Sequence, residues 1–517
     1  FIILNFFLIN VGILLPRIYV KILFAKTQKS ISKHNLPRII LFGAGDRGVQ
    51  IKRSLYNNPF YTVILFIDDN PRLHKKFVDG IEVFSPSKID LSALIQKQNI
   101  DAVLITSQQI SESRVNKLII EEINYKVNVL YTPKNIFNGN KFSVSSLKNI
   151  RFDELLGRNE NTVDLNLQGE FYIGKNILVT GAAGSIGSMV IEKLIEHKPN
   201  LILAIDNNET ALFHLSEKHR SSVNLKTKLI NITHFDEIEN CFNEFQFDFV
   251  FNAAAYKHVG IVEANIFQGL RNNILGSFNL VHLSVDNGVE KFIQVSTDKA
   301  VKPTNIMGLS KQLCEKIISY KTKISSTTGV ITRFGNVIGS NGSVLPIFQE
   351  QISNGVPVKV THPSIERYFM SISEAASLVL EACRIGHKSS IMIFDMGKPH
   401  KIIDIAKRLI EFNGLKPYID VNIEIIGLRP GEKLYEELVL DSENIKTATE
   451  NPKIFIAEKP NATNSSIELI EELVLLLKNP LTTNSEEKAL KMLKKIVPEY
   501  SPNNSPMIET LLESDSD

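Results

Sequence analysis

The chemistry-bearing residues of this chain gather in one short stretch. A mostly apolar run, Lys291-Phe292-Ile293-Gln294-Val295, gives way to Ser296-Thr297-Asp298-Lys299-Ala300. Two hydroxyls, a carboxyl and an amine therefore stand together where the run ends, four groups able to hydrogen-bond or to move protons. Lys311 follows twelve residues after Lys299, in Gly308-Leu309-Ser310-Lys311-Gln312-Leu313, which reads as the start of a helix. Met307 lies four residues before Lys311, so the two share a helix face. The bland alternative is a polar strand end followed by an ordinary amphipathic helix.

Such a cluster needs a frame. The run 291–295 has the pattern of a buried parallel strand, and open α/β sheets bind ligands just beyond the carboxyl ends of their strands. Upstream, Asn176-Ile177-Leu178-Val179-Thr180 reads as a strand, Gly181-Ala182-Ala183-Gly184-Ser185-Ile186-Gly187 as a glycine-rich turn, and Ser188 to Ile195 as an apolar-periodic helix. Glycines at this spacing let backbone N–H groups approach a pyrophosphate at a helix N-terminus, where the helix dipole adds ~0.3–1 kcal/mol. A second strand, Leu201-Ile202-Leu203-Ala204-Ile205-Asp206, puts Asp206 25 residues after Gly181, placed to accept from both ribose hydroxyls. A carboxylate there repels a 2′-phosphate, and Asn207, Asn208 and Glu209 offer no Arg, so NAD is expected rather than NADP.

The same reading extends along this half of the chain. Phe247 to Ala255 is a strand closing in small residues, Ala253, Ala254 and Ala255, which let a dinucleotide lie close to the backbone. Tyr256-Lys257-His258 follows; Lys257 is expected to touch phosphate or substrate, and His258 to be structural. Gly329 to Val337 is a strand with a polar end that includes Asn336, and Gly342 to Pro346 starts a helix. Gly427 to Glu437 (GLRPGEKLYEE) reads as a turn leading into a helix, where Arg429 can pair bidentately with phosphate; a solvated charged loop is the alternative.

A smaller unit precedes this one. Pro37 to Phe42 reads as a strand, Gly43-Ala44-Gly45-Asp46-Arg47-Gly48 as a second glycine-rich turn, Val63 to Asp69 as a strand ending in acid, and Ala102 to Thr106 as another. Asp68 falls 25 residues after Gly43. The turn either binds a nucleotide or merely allows tight strand–helix packing. The expected organisation is a membrane remnant over 1–30, a nucleotide-binding-like domain over 37–148, a connector over 149–174, a cofactor-binding domain with a C-terminal substrate-binding part over 175–456, and a polar, helical tail over 457–517 that ends in disorder.

Bulk properties bound the function. A chain of 517 residues exceeds what one core usually organises. A net charge of +2 gives no sign of a nucleic-acid partner. Cys241, Cys314 and Cys383 are widely spaced, which excludes a disulfide framework or zinc motif and suits a reducing compartment; no metal site is expected. The chain opens on Phe1, not Met, and Phe1 to Pro16 carry no charge before Arg17, Lys21, Lys26, Lys29 and Lys33. That pattern reads as a fragment keeping the end of a transmembrane helix with a basic cytoplasmic flank, or as a buried helix or signal remnant.

With these motifs in view, the chain resembles the membrane-associated UDP-N-acetylglucosamine 4,6-dehydratases of polysaccharide and glycan synthesis, a branch of the extended short-chain dehydrogenases. The resemblance rests on TGAAGSIG (180–187), NAAAYKHV (252–259), RNNILG (271–276), VSTDKAVKPTNIMGLSK (295–311), RFGNVIGSNGSV (333–344) and RPGEKLYEE (429–437). It implies an α/β protein with two Rossmann-like doubly wound parallel-sheet domains in tandem, catalytic domains in the cytoplasm, a membrane anchor mostly absent from this sequence, and a homo-oligomer. It also implies a tightly held NAD and a UDP-linked N-acetylhexosamine, oxidised at C4, dehydrated across C5–C6 and reduced at C6. Residue by residue, Lys299 would take the C5 proton, Asp298 protonate the leaving C6 hydroxyl, Thr297 bond the C4 oxygen, and Lys311 bind nicotinamide ribose. Met307 stands where most short-chain dehydrogenases have a tyrosine base, so the C4 base is open, with Asp298 assisted by Thr297 the expected one. Gly181, Ala183, Gly184, Ser185, Ile186, Gly187, Asp206 and Ala253–Ala255 would line the cofactor, with Asn231 and Ile232 flanking adenine, although relatives usually carry Asp at position 231. Lys257, Asn336, Arg429 and Glu432 would hold the UDP-sugar. The rival readings are a UDP-sugar C4 epimerase of the same fold and a non-catalytic, membrane-anchored nucleotide-binding protein.

Overall fold

The structure, a computed structural model, describes residues 38–513 apart from 58–60, 87–90, 107–127, 132–136, 139–140, 143–147, 150–164, 341, 388–389, 414, 440–443, 447–448, 459–463, 480–481 and 483–484. The expected membrane remnant, the FDELLGR part of the connector and the last four residues lie outside the described residues. Among the described residues, no helix is long and apolar enough to cross a membrane. The chain divides into two compact units, one reaching to Gly157 and including Arg408–Asp420, the other holding Arg158–Lys407 and Val421 onward.

In the first unit, apolar runs rich in Ile, Val, Leu and Phe form β1 (Arg38–Phe42), β2 (Thr62–Ile67), β4 (Ile81–Phe84), β5 (Ala102–Ile105) and β6 (Asn128–Tyr131), after the short β3 (Phe77–Val78). With β9 (Lys148–Asn149) they make a seven-stranded sheet in the order β3-β4-β2-β1-β5-β6-β9; β7 (Phe137–Asn138) and β8 (Lys141–Phe142) pair separately. The β4-β2-β1-β5-β6 core is parallel. Helices α1 (Asp46–Asn57) and α2 (Leu91–Gln98) connect its strands. Alternate side chains of β1 enter two different cores, Ile40 and Phe42 one, Ile39 and Leu41 the other, so the sheet is buried on both faces.

The second unit begins with α3 (Leu165–Tyr172), whose Tyr172 is fully buried and donates from its hydroxyl to Leu380 O at 2.7 Å. Its sheet alternates strands and helices: β10 (Asn176–Thr180), α4 (Ser185–Glu196), β11 (Leu201–Asp206), α5 (Glu209–Lys218), β12 (Leu225–Leu229), α6 (Phe235–Glu244), β13 (Phe249–Asn252), α7 (Gly276–Asp286), β14 (Lys291–Val295), α8 (Ile306–Lys323) and β15 (Thr328–Arg333). After β16 (Asn336–Val337), α9 (Val344–Ser353), β17 (Val358–Val360), β18 (Glu366–Arg367), β19 (Phe369–Met370) and α10 (Ile372–Ile385) comes β20 (Ser390–Phe394). Then follow β21 (His400–Lys401), β22 (Ile423–Ile425), β23 (Asn444–Lys446) and β24 (Ile454–Glu458). The nine-stranded order is β12-β11-β10-β13-β14-β15-β20-β24-β23. The first seven run parallel, and β24 and β23 add on antiparallel. Strand order reverses between β10 and β13, which leaves a crevice at their carboxyl ends. The pairs β16–β19, β17–β22 and β18–β21 form a smaller accessory layer.

The tail is part of this unit. Helices α11 (Asn464–Lys478), α12 (Ser485–Ile496) and α13 (Pro506–Glu513) bury Leu473, Leu477, Leu490, Leu493 and Ile508 in the same core as Leu270, Ile274, Leu313 and Ile317.

Candidate active site

The glycine-rich turn is built around two constraints. Gly181 has φ 61°, and a Cβ on it would sit 2.6 Å from the backbone of Ala254, so the turn and the alanine-rich end of β13 touch through their main chains. Asp206 at the end of β11 accepts from Ala183 N at 3.0 Å through Oδ2 and from Asn208 N at 2.9 Å through Oδ1. Its carboxylate is thereby fixed at the mouth of a cavity of about 250 Å³, whose walls include Gly181, Ala183, Gly184, Asp206, Ile232 and Ala253–Ala255. Ile205, Asn207, Asn208, Ala211, Ile230, Tyr256 and Asn272 complete the lining. No Lys or Arg stands among these residues. The donor set fits a dinucleotide whose ribose hydroxyls meet Asp206, and it lacks the cation a 2′-phosphate requires. Ser185, Ile186 and Gly187 sit instead in the first turn of α4, and Asn231 turns inward to accept from Thr233 N and Oγ1, both at 3.0 Å.

The loop after β13 is held by the RNNILG segment. Residues Arg271–Leu275 form a π-helical turn, a distortion frequent at functional sites. It aims Asn273 at Tyr256: Oδ1 accepts from Tyr256 N at 2.8 Å, and Nδ2 donates to Tyr256 O at 3.0 Å and to Ser310 Oγ at 2.9 Å. Lys257, the next residue, is exposed. Among the described residues no anion pairs with it. His258 packs under Gly342, with its pKa lowered by burial and by Lys257.

The catalytic candidates meet where β14 ends. Thr297 caps a short 3-10 turn, Asp298–Ala300. Asp298 is fully buried; its Oδ1 accepts from Thr297 Oγ1 at 2.9 Å and from Lys299 Nζ at 3.0 Å, while its Oδ2 is buried without a hydrogen-bond partner among the described residues. Lys299 Nζ also donates to Asn336 Oδ1 at 3.0 Å, so Asn336 positions the amine. Met307 and Lys311 lie one turn apart on α8, both buried. Met307 packs in the apolar core, whereas Lys311 donates to Val295 O at 3.0 Å, its pKa lowered by burial. A Cβ on Gly308 would run into the carbonyl of Lys299, so glycine is what lets α8 abut the turn after β14. Beneath the turn, Arg333 and Glu315 form a fully buried bidentate pair (2.8 and 2.6 Å), and Ser296 Oγ donates to Glu315 Oε1 at 2.7 Å.

The RPGEKLYEE segment departs from expectation. It forms no helix and is irregular from Gly427 to Val439. Its carbonyls are claimed by other elements: Lys433 O accepts from Arg367 Nη2 at 2.7 Å, and Leu434 O from Arg367 Nη1 at 3.2 Å and Glu366 N at 3.1 Å. Lys433 Nζ reaches Val301 O at 3.0 Å. The segment thus lies beside the turn after β14 and delivers Glu436, a residue the sequence reading passed over. Glu436 is buried, its Oε2 without a partner, its Oε1 3.7 Å from Arg367 Nη2. Burial raises its pKa first of all; Lys299 opposes, Asp298 adds, and Arg367 and Lys433 oppose. Glu432 accepts from Arg429 N at 3.1 Å and lies 3.7 Å from Arg367. The Arg429 side chain is exposed and unpaired among the described residues.

Residues 177–459 match the family described as polysaccharide biosynthesis protein. The chain belongs to that family. The capsular polysaccharide biosynthesis protein CapD of Staphylococcus aureus is 35% identical to this chain over 466 residues, covering 88% of this chain and 76% of its own. A UDP-glucose 4-epimerase of Rickettsia typhi is 33% identical, covering 63% of this chain and 96% of its own. Among solved structures, Pen from Bacillus thuringiensis matches with a TM-score of 0.52 at 31% identity, over 57% of this chain and 89% of its own. The second unit of this chain therefore shares its fold with that solved structure.

Proposed function

We propose that this protein is a nucleotide-sugar-modifying enzyme and, within that class, an NAD-dependent 4,6-dehydratase that converts UDP-N-acetylglucosamine to a UDP-4-keto-6-deoxy-N-acetylhexosamine. The observation that carries the reading is the ion pair of buried Asp298 with half-buried Lys299, one carboxylate oxygen having no hydrogen-bond partner among the described residues, beside a helix on which Met307 precedes Lys311. When bound, NAD⁺ supplies a hydride acceptor for sugar C4 and the same hydride for C6, so it is unchanged over a cycle.

The chain's own groups account for the protons. Met307 has none to exchange, so Asp298, oriented by Thr297, takes the proton of the C4 hydroxyl. The C4 ketone acidifies the C5 hydrogen, which Lys299 removes as a proton. Asp298 returns its proton to the C6 hydroxyl as that group departs, and water is lost across C5–C6. Lys299 then reprotonates C5 as C6 is reduced, leaving no net change in either side chain. Glu436, whose pKa burial raises and the Asp298 charge raises further, places a second carboxyl near the Asp298–Lys299 pair. Lys257 and Arg429, unpaired among the described residues, suit a diphosphate, Arg429 bidentately.

The deciding experiment incubates the protein with NAD⁺ and UDP-N-acetylglucosamine. A product lighter by one water that develops a 4-keto chromophore in alkali supports the proposal. The likeness to a UDP-glucose 4-epimerase motivates the second reading, a C4 epimerase. An isomeric product of unchanged mass would favour it and overturn the dehydratase.

A further inference from the structure

The segment Glu499–Ser505 lies beyond the family-matched residues 177–459, yet it reaches back into the candidate site. Its main chain runs alongside the stretch joining the catalytic turn to α8. Ser501 N donates to Pro303 O at 3.2 Å, and Asn503 N to Thr304 O at 3.2 Å. Its other side meets the RPGEK loop. Gly431 N donates to Asn503 O at 2.6 Å, Asn503 Nδ2 to Glu432 O at 3.0 Å, and Asn504 Nδ2 to Leu428 O at 3.0 Å. Another carbonyl of the loop, Gly431 O, accepts from Asn305 Nδ2 at 2.9 Å and Thr304 Oγ1 at 3.0 Å. The loop that carries Arg429 and Glu432 is therefore laced between the α8 N-cap and the tail segment.

The segment is itself anchored at both ends. Glu499 Oε1 accepts from Gln312 Nε2 at 2.7 Å, and Ser505 Oγ donates to Glu263 Oε2 at 3.3 Å. Glu263 Oε1 in turn accepts from Ile306 N at 2.7 Å, at the first residue of α8. Tyr500 is fully buried between these anchors, and Asn504, which donates to Leu428 O, takes a left-handed backbone conformation (φ 53°).

We propose that Asn503 is a positioning residue for the nucleotide sugar: with Asn504 it fixes the backbone of residues 428–432, so that the Arg429 guanidinium meets the substrate diphosphate already ordered. Without these bonds the loop keeps its sequence but loses its preset shape, and ordering it on binding weakens affinity. The inference rests on the nucleotide-sugar reading of the site.

The test measures UDP binding by calorimetry on the full chain, with NAD⁺ present, for wild type, Asn503→Ala and Asn504→Gly. Glycine retains the left-handed backbone while removing the bond to Leu428 O. Each variant is expected to raise the Kd for UDP about three- to tenfold, the loss typical of one hydrogen bond. In turnover, KM for the sugar nucleotide rises while kcat and NAD⁺ affinity stay near wild type, a split that a general loss of fold does not produce. Should Asn503→Ala melt well below wild type, the Asn504→Gly arm decides. UDP binding that both variants retain at wild-type strength overturns this inference alone. Wild-type protein that binds no UDP overturns the nucleotide-sugar reading and this inference with it.

Discussion

Asp298 has one oxygen committed to Thr297 and Lys299 and the other buried without a hydrogen-bond partner among the described residues. A carboxamide in its place keeps the shape but cannot shuttle a proton. Asp298→Asn is expected to lower both C4 oxidation and water loss by about 10²–10⁴-fold, read as single-turnover cofactor reduction and as 4-keto product; oxidation near the wild-type rate would refute its role as the C4 base. Glu436 makes a separate statement about pH. Burial holds its folded pKa above the ordinary value of 4.5, so in that window the native state binds more protons than the unfolded chain. Stability therefore falls as pH rises from about 4.5 through the folded pKa. The cost is absent below the unfolded value and fully present above the folded one. Glu436→Gln is expected to flatten this slope, as urea denaturation at a series of pH values would show.

At the scale of elements, the proposed chemistry depends on how closely α8 approaches the turn after β14. Gly308 touches the Lys299 carbonyl from the helix side, and a methyl there forces the helix outward. Gly308→Ala is expected to cost roughly 1–3 kcal/mol of stability by overpacking and to lower kcat at the same time, measured by chemical denaturation alongside turnover. Stability lost with kcat intact would mean that the turn tolerates the shift. The buried Glu315–Arg333 pair works from below, tying Ser296 to α8 and β15. A pair of this kind is weak evidence of net stability but leaves a costly lone charge when broken, which suits a role in fixing one geometry.

For the whole molecule, the second unit is closed by helices that follow the family-matched residues. Leu490 on α12 is fully buried in the shared core, and Leu490→Ala is expected to cost about 2–5 kcal/mol, seen as a lower denaturation midpoint of that unit. An unchanged midpoint would show that the tail packs only loosely. The three thiols report the same closure: Cys241, Cys314 and Cys383 are buried and free, and burial pushes Cys383 up to about 12. A thiol reagent at neutral pH is expected to label none of them in the native protein and all three in denaturant; rapid native labelling would contradict this packing.

The strands β10, β11 and β14, the glycine-rich turn, Asp206 and the start of α8 could be read from the sequence, because each is set by short-range periodicity and backbone sterics. Thr297, Asp298 and Lys299 were visible for the same reason, being adjacent in the chain at a strand end. Tertiary structure alone decided what faces them. Arg367, Glu436 and Asn503 come from segments far apart in sequence, and no local pattern marks their meeting. The segment after Gly431 has the composition of a helix, but Arg367 takes the carbonyls of Lys433 and Leu434 that a helix would have used. A backbone carbonyl goes to whichever donor the assembled fold presents, and that choice is written across the whole chain rather than in any window of it.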